Sequence, residues 1–249
     1  MIENNNDLIN KFTALAVDNM LYKSKNKLLF RAKQVFGDID LKDKSMLELG
    51  CGDGVYSIWA KINGAKRVIG LEPEVDGSTS GSAKIFTELI NNLNLDNIDC
   101  LPQTIENFNP NGIKFDIVLS NMSINHFDEN ACIKLNSNLD AQRKYLGIFN
   151  KVKSTMKPRG KFIILDNSNK NFFGIFKKRS PFCPNINWRK HQPPKVWIKL
   201  LKQAGFGEAK ISWPSRYCCL LSLYCHNIIS YFIDSFFRIE VTLLEVENG

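Results

Sequence analysis

Leu47-Glu48-Leu49-Gly50-Cys51-Gly52-Asp53-Gly54 places an acid and three glycines where an apolar run stops. Residues without a Cβ let a ligand approach the backbone closely. A strand–turn–helix unit of this kind offers its N–H groups to a nucleotide-like ligand. The spacing is G-x-G-x-G, with Tyr56 and Ser57 beyond, and not the G-x-G-x-x-G that holds a pyrophosphate. The Glu48 carboxylate would repel a pyrophosphate and attract a cationic amino group. Glu48, Gly50, Cys51 and Gly52 are therefore expected to bind a cofactor. A second acid, Glu72, ends the run Arg67-Val68-Ile69-Gly70-Leu71 just before Pro73, about 20 residues on. A carboxylate there can accept from both hydroxyls of a ribose.

Two further segments complete a pattern. Phe115-Asp116-Ile117-Val118-Leu119-Ser120-Asn121-Met122 is a short β-branched run that ends in polar residues. In Met156-Lys157-Pro158-Arg159-Gly160-Lys161-Phe162-Ile163-Ile164-Leu165-Asp166, Pro158 is expected to stop a helix and Gly160 to make the turn into a strand. The four segments span about residues 45–167. In this order they resemble the motifs of the class I S-adenosylmethionine (SAM)-dependent methyltransferases. The resemblance implies SAM as cofactor, with Glu48, Gly50, Cys51, Gly52, Glu72 and Pro73 around it. It places Thr104 and Ile105 near the adenine and Asn121 at a strand end facing cofactor and substrate. Thr104 stands where the family usually has an acid, so a backbone amide and the Thr104 hydroxyl would take over adenine recognition.

Methyl transfer is an in-line displacement on an activated donor, and holding the reactants about 3 Å apart supplies much of the catalysis. A general base helps when the acceptor must lose a proton. His126, in Ser123-Ile124-Asn125-His126-Phe127 just past the fourth strand, is the expected base, and His191 is the second candidate. Metal assistance would need acids after the fourth and fifth strands. Asp166-Asn167 fits the second position but Ser120-Asn121 occupies the first, so no metal is expected. The Pro-Pro-aromatic signature of amino-methylating nucleic-acid enzymes is missing after Asn121, and no cysteine is placed for cytosine C5 chemistry.

The elements that must position these groups alternate as a parallel sheet requires. The fold class read from them is α/β, a Rossmann-like, mostly parallel seven-stranded sheet with an antiparallel last strand, helices on both faces and a basic aromatic lid insertion. Residues 1–44 read as an N-terminal helical cap, 45–167 as the SAM-binding core, and 168–249 as substrate lid and C-terminal completion of one globular domain. Leu8, Ile9, Phe12, Leu15, Ala16 and Met20 recur at helical spacing, and a second helix is expected over Lys27–Phe36. Val55–Ile62 and Ser82–Leu93 should be helices, with Glu74–Gly81 a loop between them. Arg238–Glu247 should close the sheet antiparallel to Lys210-Ile211-Ser212-Trp213.

The chain of 249 residues carries a formal net charge of +8. From Asp166 to Lys199, eight positive residues face one acid, a net +7 interleaved with Phe172, Phe173, Phe176, Phe182, Trp188 and Trp197. Such a lid suits an anionic substrate, and would also suit nucleic acid or an anionic membrane surface. Seven scattered cysteines point to reduced thiols and a cytoplasmic protein. No apolar stretch follows the start of the chain, which argues against a secretory signal. Cys218-Cys219 and Cys225-His226 lack a C-x-x-C pair, so packing is expected of them rather than metal binding. Tyr217–Phe237 approaches the ~20 residues of a membrane span. His226, Asn227 and Asp234 interrupt it, so a buried or interfacial helix is expected, over an apolar substrate tail or a dimer seam.

The reading is a SAM-dependent methyltransferase acting on O or N of a small, anionic or lipid-linked metabolite. Leu71-Glu72-Pro73-Glu74 and the following Gly-Ser-Thr-Ser-Gly turn are similar to methyltransferases of bacterial surface-polysaccharide pathways, and a polysaccharide sugar is one such acceptor. The partners implied are that small molecule and a peripheral membrane or lipid-linked contact, with an oligomer compatible. Nucleic acid stands second, through an RNA methyltransferase using the basic lid. A SAM-binding sensor or partner subunit without turnover is the remaining alternative.

Overall fold

The computed structural model describes residues 5–73, 81–176, 178, 180–214 and 227–244, with the backbone alone at 227–229. Seven strands form one sheet in the order β3-β2-β1-β4-β5-β7-β6. The chain divides into two compact units, Met1–Leu119 and Ser120–Gly249.

The first unit runs α1 (Asn5–Asp18), α2 (Lys25–Phe36), β1 (Ser45–Leu49), α3 (Val55–Ile62), β2 (Arg67–Leu71), α4 (Ser82–Asn92), β3 (Ile98–Leu101) and most of β4 (Phe115–Asn121). β1 lies between β2 and β4, parallel to both, with Leu47 opposite Ile69 and Val118. Every residue of β1 is buried, as a central parallel strand with both faces covered requires. Its start is anchored by Asp116, whose Oδ2 accepts from the Ser45 amide at 2.8 Å and from Ser45 Oγ at 2.7 Å. α3 has the bounds read from the sequence, and α4 stops one residue short, with Leu93 as its cap. α1 ends earlier than its apolar spacing suggested. Asp18 is its last residue, Met20 takes a positive φ of 57°, and its side chain is 90% exposed. The Glu74–Ser80 part of the expected loop lies outside the described residues.

The second unit follows β4 with a 3₁₀ turn at Ile124–His126, then α5 (Glu129–Lys134), α6 (Leu139–Thr155), β5 (Met156–Asn167) and α7 (Phe172–Ile175). After a 3₁₀ turn at Trp188–Lys190 come α8 (Pro194–Gln203), β6 (Lys210–Ser212), α9 (Asn227–Ile233) and β7 (Phe236–Thr242). β7 is antiparallel to β5 and β6, as expected, with Ile239 opposite both Ile164 and Ile211. An aromatic cluster forms this unit's core: the Tyr145 ring lies 5.2 Å from Trp197, and Phe149 lies 6.2 Å from Phe162.

Two local expectations are corrected here. Pro158 does not stop the helix and Gly160 makes no turn, because α6 already ends at Thr155 and β5 begins directly at the extended Met156; inside β5 it is Arg159, with a φ of 60°, that takes the left-handed conformation. The apolar stretch 217–237 does not end as a helix. Ser235 takes a φ of 46° after α9, Asp234 Oδ1 accepts from the Phe236 amide at 3.2 Å, and Phe236 and Phe237 begin β7. Residues 215–226, with Cys218, Cys219, Cys225 and His226, lie outside the described part. Among the described residues no helix is long and apolar enough to cross a membrane.

Candidate active site

The glycine turn is held from below by β2. The amides of Gly50 and Cys51 both donate to the Leu71 carbonyl, at 2.8 and 3.0 Å. The Gly52 amide donates to Glu72 Oε2 at 2.7 Å, so the β2 acid also fixes the tip of the turn. Gly52 sits at φ +51°, where a side chain is strained, and the space its Cβ would enter is open to 4 Å. Gly54 is glycine for a different reason: at φ +73° its Cβ would stand 2.1 Å from the Phe86 ring. Asp53 Oδ1 is buried and has no hydrogen-bond partner among the described residues. Sequence reasoning had not singled out Asp53, although its place between two of the motif glycines was the available signal.

Glu48 is 1% exposed, and its Oε2 accepts from Ser57 Oγ at 2.6 Å. Burial raises its carboxyl from the ordinary 4.5 to about 8, with the nearby Glu72 charge adding to the shift and the Ser57 bonds opposing it. Cys51 is buried beside Cys100, whose hydrogen bond, with burial, raises the Cys51 thiol. Pro73 and Thr104 are half-buried, Thr104 Oγ1 accepting from the Asn107 amide at 3.4 Å, and Ile105 is buried.

In the second unit, Asn121 is half-buried and its Oδ1 has no hydrogen-bond partner among the described residues. His126 has 48% of its side chain exposed, and its Nδ1 meets Glu129 Oε1 at 2.7 Å. Glu129 is shared with Lys190 Nζ at 2.5 Å, which, with His126, lowers its carboxyl. The expected base is thus exposed and bonded into a charged cluster whose other members, Glu129 and Lys190, are half-buried.

The second candidate, His191, is 6% exposed, and its Nδ1 lies 3.0 Å from Oδ1 of Asp166, which is fully buried. Asp166 is presented by the end of β5. His191 is held by its neighbours: Gln192 Nε2 donates to the Cys132 carbonyl at 2.7 Å, and its Oε1 accepts from Asn136 at 2.6 Å. The Cys132 thiol donates to the Lys190 carbonyl at 3.1 Å. Burial, then the Asp166 charge, push that thiol up to about 12.

The basic segment lines a pocket of about 1010 Å³. Its polar walls are Lys170, Lys178, Arg189, Asn169, Asn185 and Asn187, and no acid is among the described residues that line it. Lys177 and Arg179 lie outside the described residues.

A mostly parallel sheet of this order, with a glycine turn after β1 and an acid at the end of β2, is the Rossmann-like fold of SAM-dependent methyltransferases. Residues 22–207 match the model of a methyltransferase domain family; the chain belongs to that family, and SAM is its cofactor. A putative SAM-dependent methyltransferase from Listeria monocytogenes superposes with a TM-score of 0.60 at 17% identity, over 88% of this chain and 98% of that one. Phosphoethanolamine N-methyltransferase 2 of Haemonchus contortus, in complex with SAM, superposes with a TM-score of 0.61 at 15% identity, over 97% of this chain and 58% of that one. The tRNA U34 carboxymethyltransferase of Ruthia magnifica subsp. Calyptogena magnifica is 32% identical over 124 residues. That match covers 50% of this chain and 33% of that protein, so the chain spans about a third of the length of this curated relative.

The first unit fits such a cofactor. It offers open space over Gly52, a buried acceptor at Asp53 Oδ1, and the Glu72 carboxylate, all suited to a cationic ligand that carries hydroxyl donors.

Proposed function

We propose that the protein transfers a methyl group from SAM to O or N of a small anionic acceptor, lipid-linked metabolites and surface-polysaccharide sugars included. The observation that carries the acceptor class is the pocket walled by Lys170, Lys178 and Arg189, with no acid among its described lining residues. Three cations with three amides can neutralise and hydrogen-bond a phosphate or carboxylate. Glu48, Gly50, Cys51, Gly52, Glu72, Pro73, Thr104 and Ile105 are the groups proposed to hold SAM. When bound, SAM supplies a methyl group on a positively charged sulfur. The chain's own part is to orient: Glu72 keeps the Gly52 amide from turning away, and Gly52 leaves the approach clear. The phosphoethanolamine enzyme named above places a phosphate-bearing acceptor on this fold, in keeping with the reading.

A second reading is methylation of RNA. It rests on the partial likeness to a tRNA-modifying enzyme and on the net +7 segment. One experiment separates the two: methyl-labelled SAM is incubated with the protein and a cell extract, and counts are followed into small-molecule, lipid and RNA fractions. Label in small acidic molecules or lipid-linked glycans supports the proposal, and label confined to RNA replaces it. SAM binding without transfer to any fraction would make the protein a sensor or partner subunit.

A further inference from the structure

We propose that His191 is the proton acceptor of the reaction and that Asp166 is its positioning residue, an inference that rests on the methyl-transfer reading above. The two form a pair buried in the second unit, 25 residues apart in the chain. A carboxylate that only accepts hydrogen bonds requires Nδ1 to carry the ring proton, which leaves the Nε2 lone pair free. Among the described residues the hydrogen bond of the His191 ring is the one at Nδ1.

A second observation points to a ligand here. Asp166 Oδ2, on the same carboxyl that meets His191, is buried without a hydrogen-bond partner among the described residues. An orphaned buried acceptor costs stability unless a donor fills it. An acceptor's N–H or O–H group, or a water, would supply that donor. His126 lacks all of this, because it is exposed and its one bonded nitrogen belongs to a charged cluster with Glu129 and Lys190.

The ring is held for the task. Gln192 ties its segment to α5, Trp188 stands 6.3 Å away centroid to centroid, and buried Pro193 and Pro194 follow. In the reaction the acceptor's O–H or N–H bond breaks and its electron pair forms the bond to the methyl carbon. The proton goes to Nε2 and then to water, while the broken carbon–sulfur bond leaves its pair on sulfur. The imidazolium formed in passing lies against the Asp166 carboxylate, which stabilises it.

The test has two arms. The chain has three histidines, His126, His191 and His226, so ring-labelled protein gives assignable proton–nitrogen correlation spectra with single His→Gln variants. The neutral His191 ring should show the proton on Nδ1, and Asp166→Ala should abolish that preference. A neutral ring protonated on Nε2 overturns the proposal whatever the turnover. In the second arm, His191→Gln should lower transfer from labelled SAM to the extract's small molecules by about 100-fold or more. Its calorimetric affinity for SAM should stay within about twofold of wild type. Added imidazole should partly restore His191→Ala. Wild-type rates in His191→Gln also overturn the proposal, whereas failure of the wild type to bind SAM overturns the methyl-transfer reading instead.

Discussion

Glu72 Oε2 accepts the Gly52 amide at 2.7 Å, joining the acid at the end of β2 to the middle glycine of the turn after β1. One carboxylate thereby shapes the turn and, in the proposed function, faces the cofactor's ribose. These two roles make it a sensitive position.

Glu72→Ala should weaken SAM binding by about 10- to 100-fold in calorimetry, since hydrogen bonds to charged groups are worth roughly 1.5–3 kcal/mol. Gly52→Arg should abolish it, by filling the open space over the turn and straining φ +51°. Unchanged affinity in both variants would remove the assignment of this turn as the cofactor site.

Gly54→Ala should destabilise the fold by about 2–5 kcal/mol. A left-handed residue with a Cβ costs about 1–2, and overpacking against the Phe86 ring adds about 1–3. Denaturant titration measures this directly. Phe86→Leu should recover part of the loss in the double variant, because the two positions share one contact. Additive losses would show that strain in the backbone alone is responsible.

Glu48 predicts a pH dependence of the free protein. Its folded carboxyl titrates near 8 and its ordinary value is 4.5, so between these pH values the folded state holds a proton that the unfolded state releases. Its contribution to stability is therefore greatest at acid pH and is lost as pH rises from about 4.5 to about 8, by up to ~1.4 kcal/mol per pH unit. Glu48→Gln should flatten that slope while keeping an acceptor for Ser57. Unfolding curves that run parallel in wild type and variant across this range would contradict it.

The pocket carries the acceptor prediction. Lys170→Ala with Arg189→Ala removes two of its three cations. The double variant should raise the apparent KM for acidic small molecules by about tenfold or more, with SAM affinity unchanged. Inhibition by added pyrophosphate should fall in parallel. Equal pyrophosphate sensitivity in wild type and variant would leave the cations as a solvated surface.

Much of the scaffold was legible in the chain itself. The buried run of β1, the bounds of α3 and the end of β2 at an acid follow from apolar runs and glycine spacing. The alternation from Arg238 onward marked a closing strand, and its antiparallel pairing with β6 followed from the family resemblance. The misreadings were local competitions: Arg159, inside β5, takes the left-handed conformation beside a glycine that could have, and Phe236 leaves an apolar stretch for a strand after Ser235.

What the sequence determined by itself is the set of groups and their elements: glycines at a strand exit, acids at strand ends, cations gathered in one segment. Such patterns act between residues a few positions apart, where backbone geometry sets spacing. Tertiary structure alone decided which groups meet: Glu72 with Gly52, Glu48 with Ser57, Phe86 over Gly54 and Asp166 with His191. Those partners are 9 to 32 positions apart, and burial, which sets the Glu48 titration and selects His191 over His126, exists only once the strands have packed.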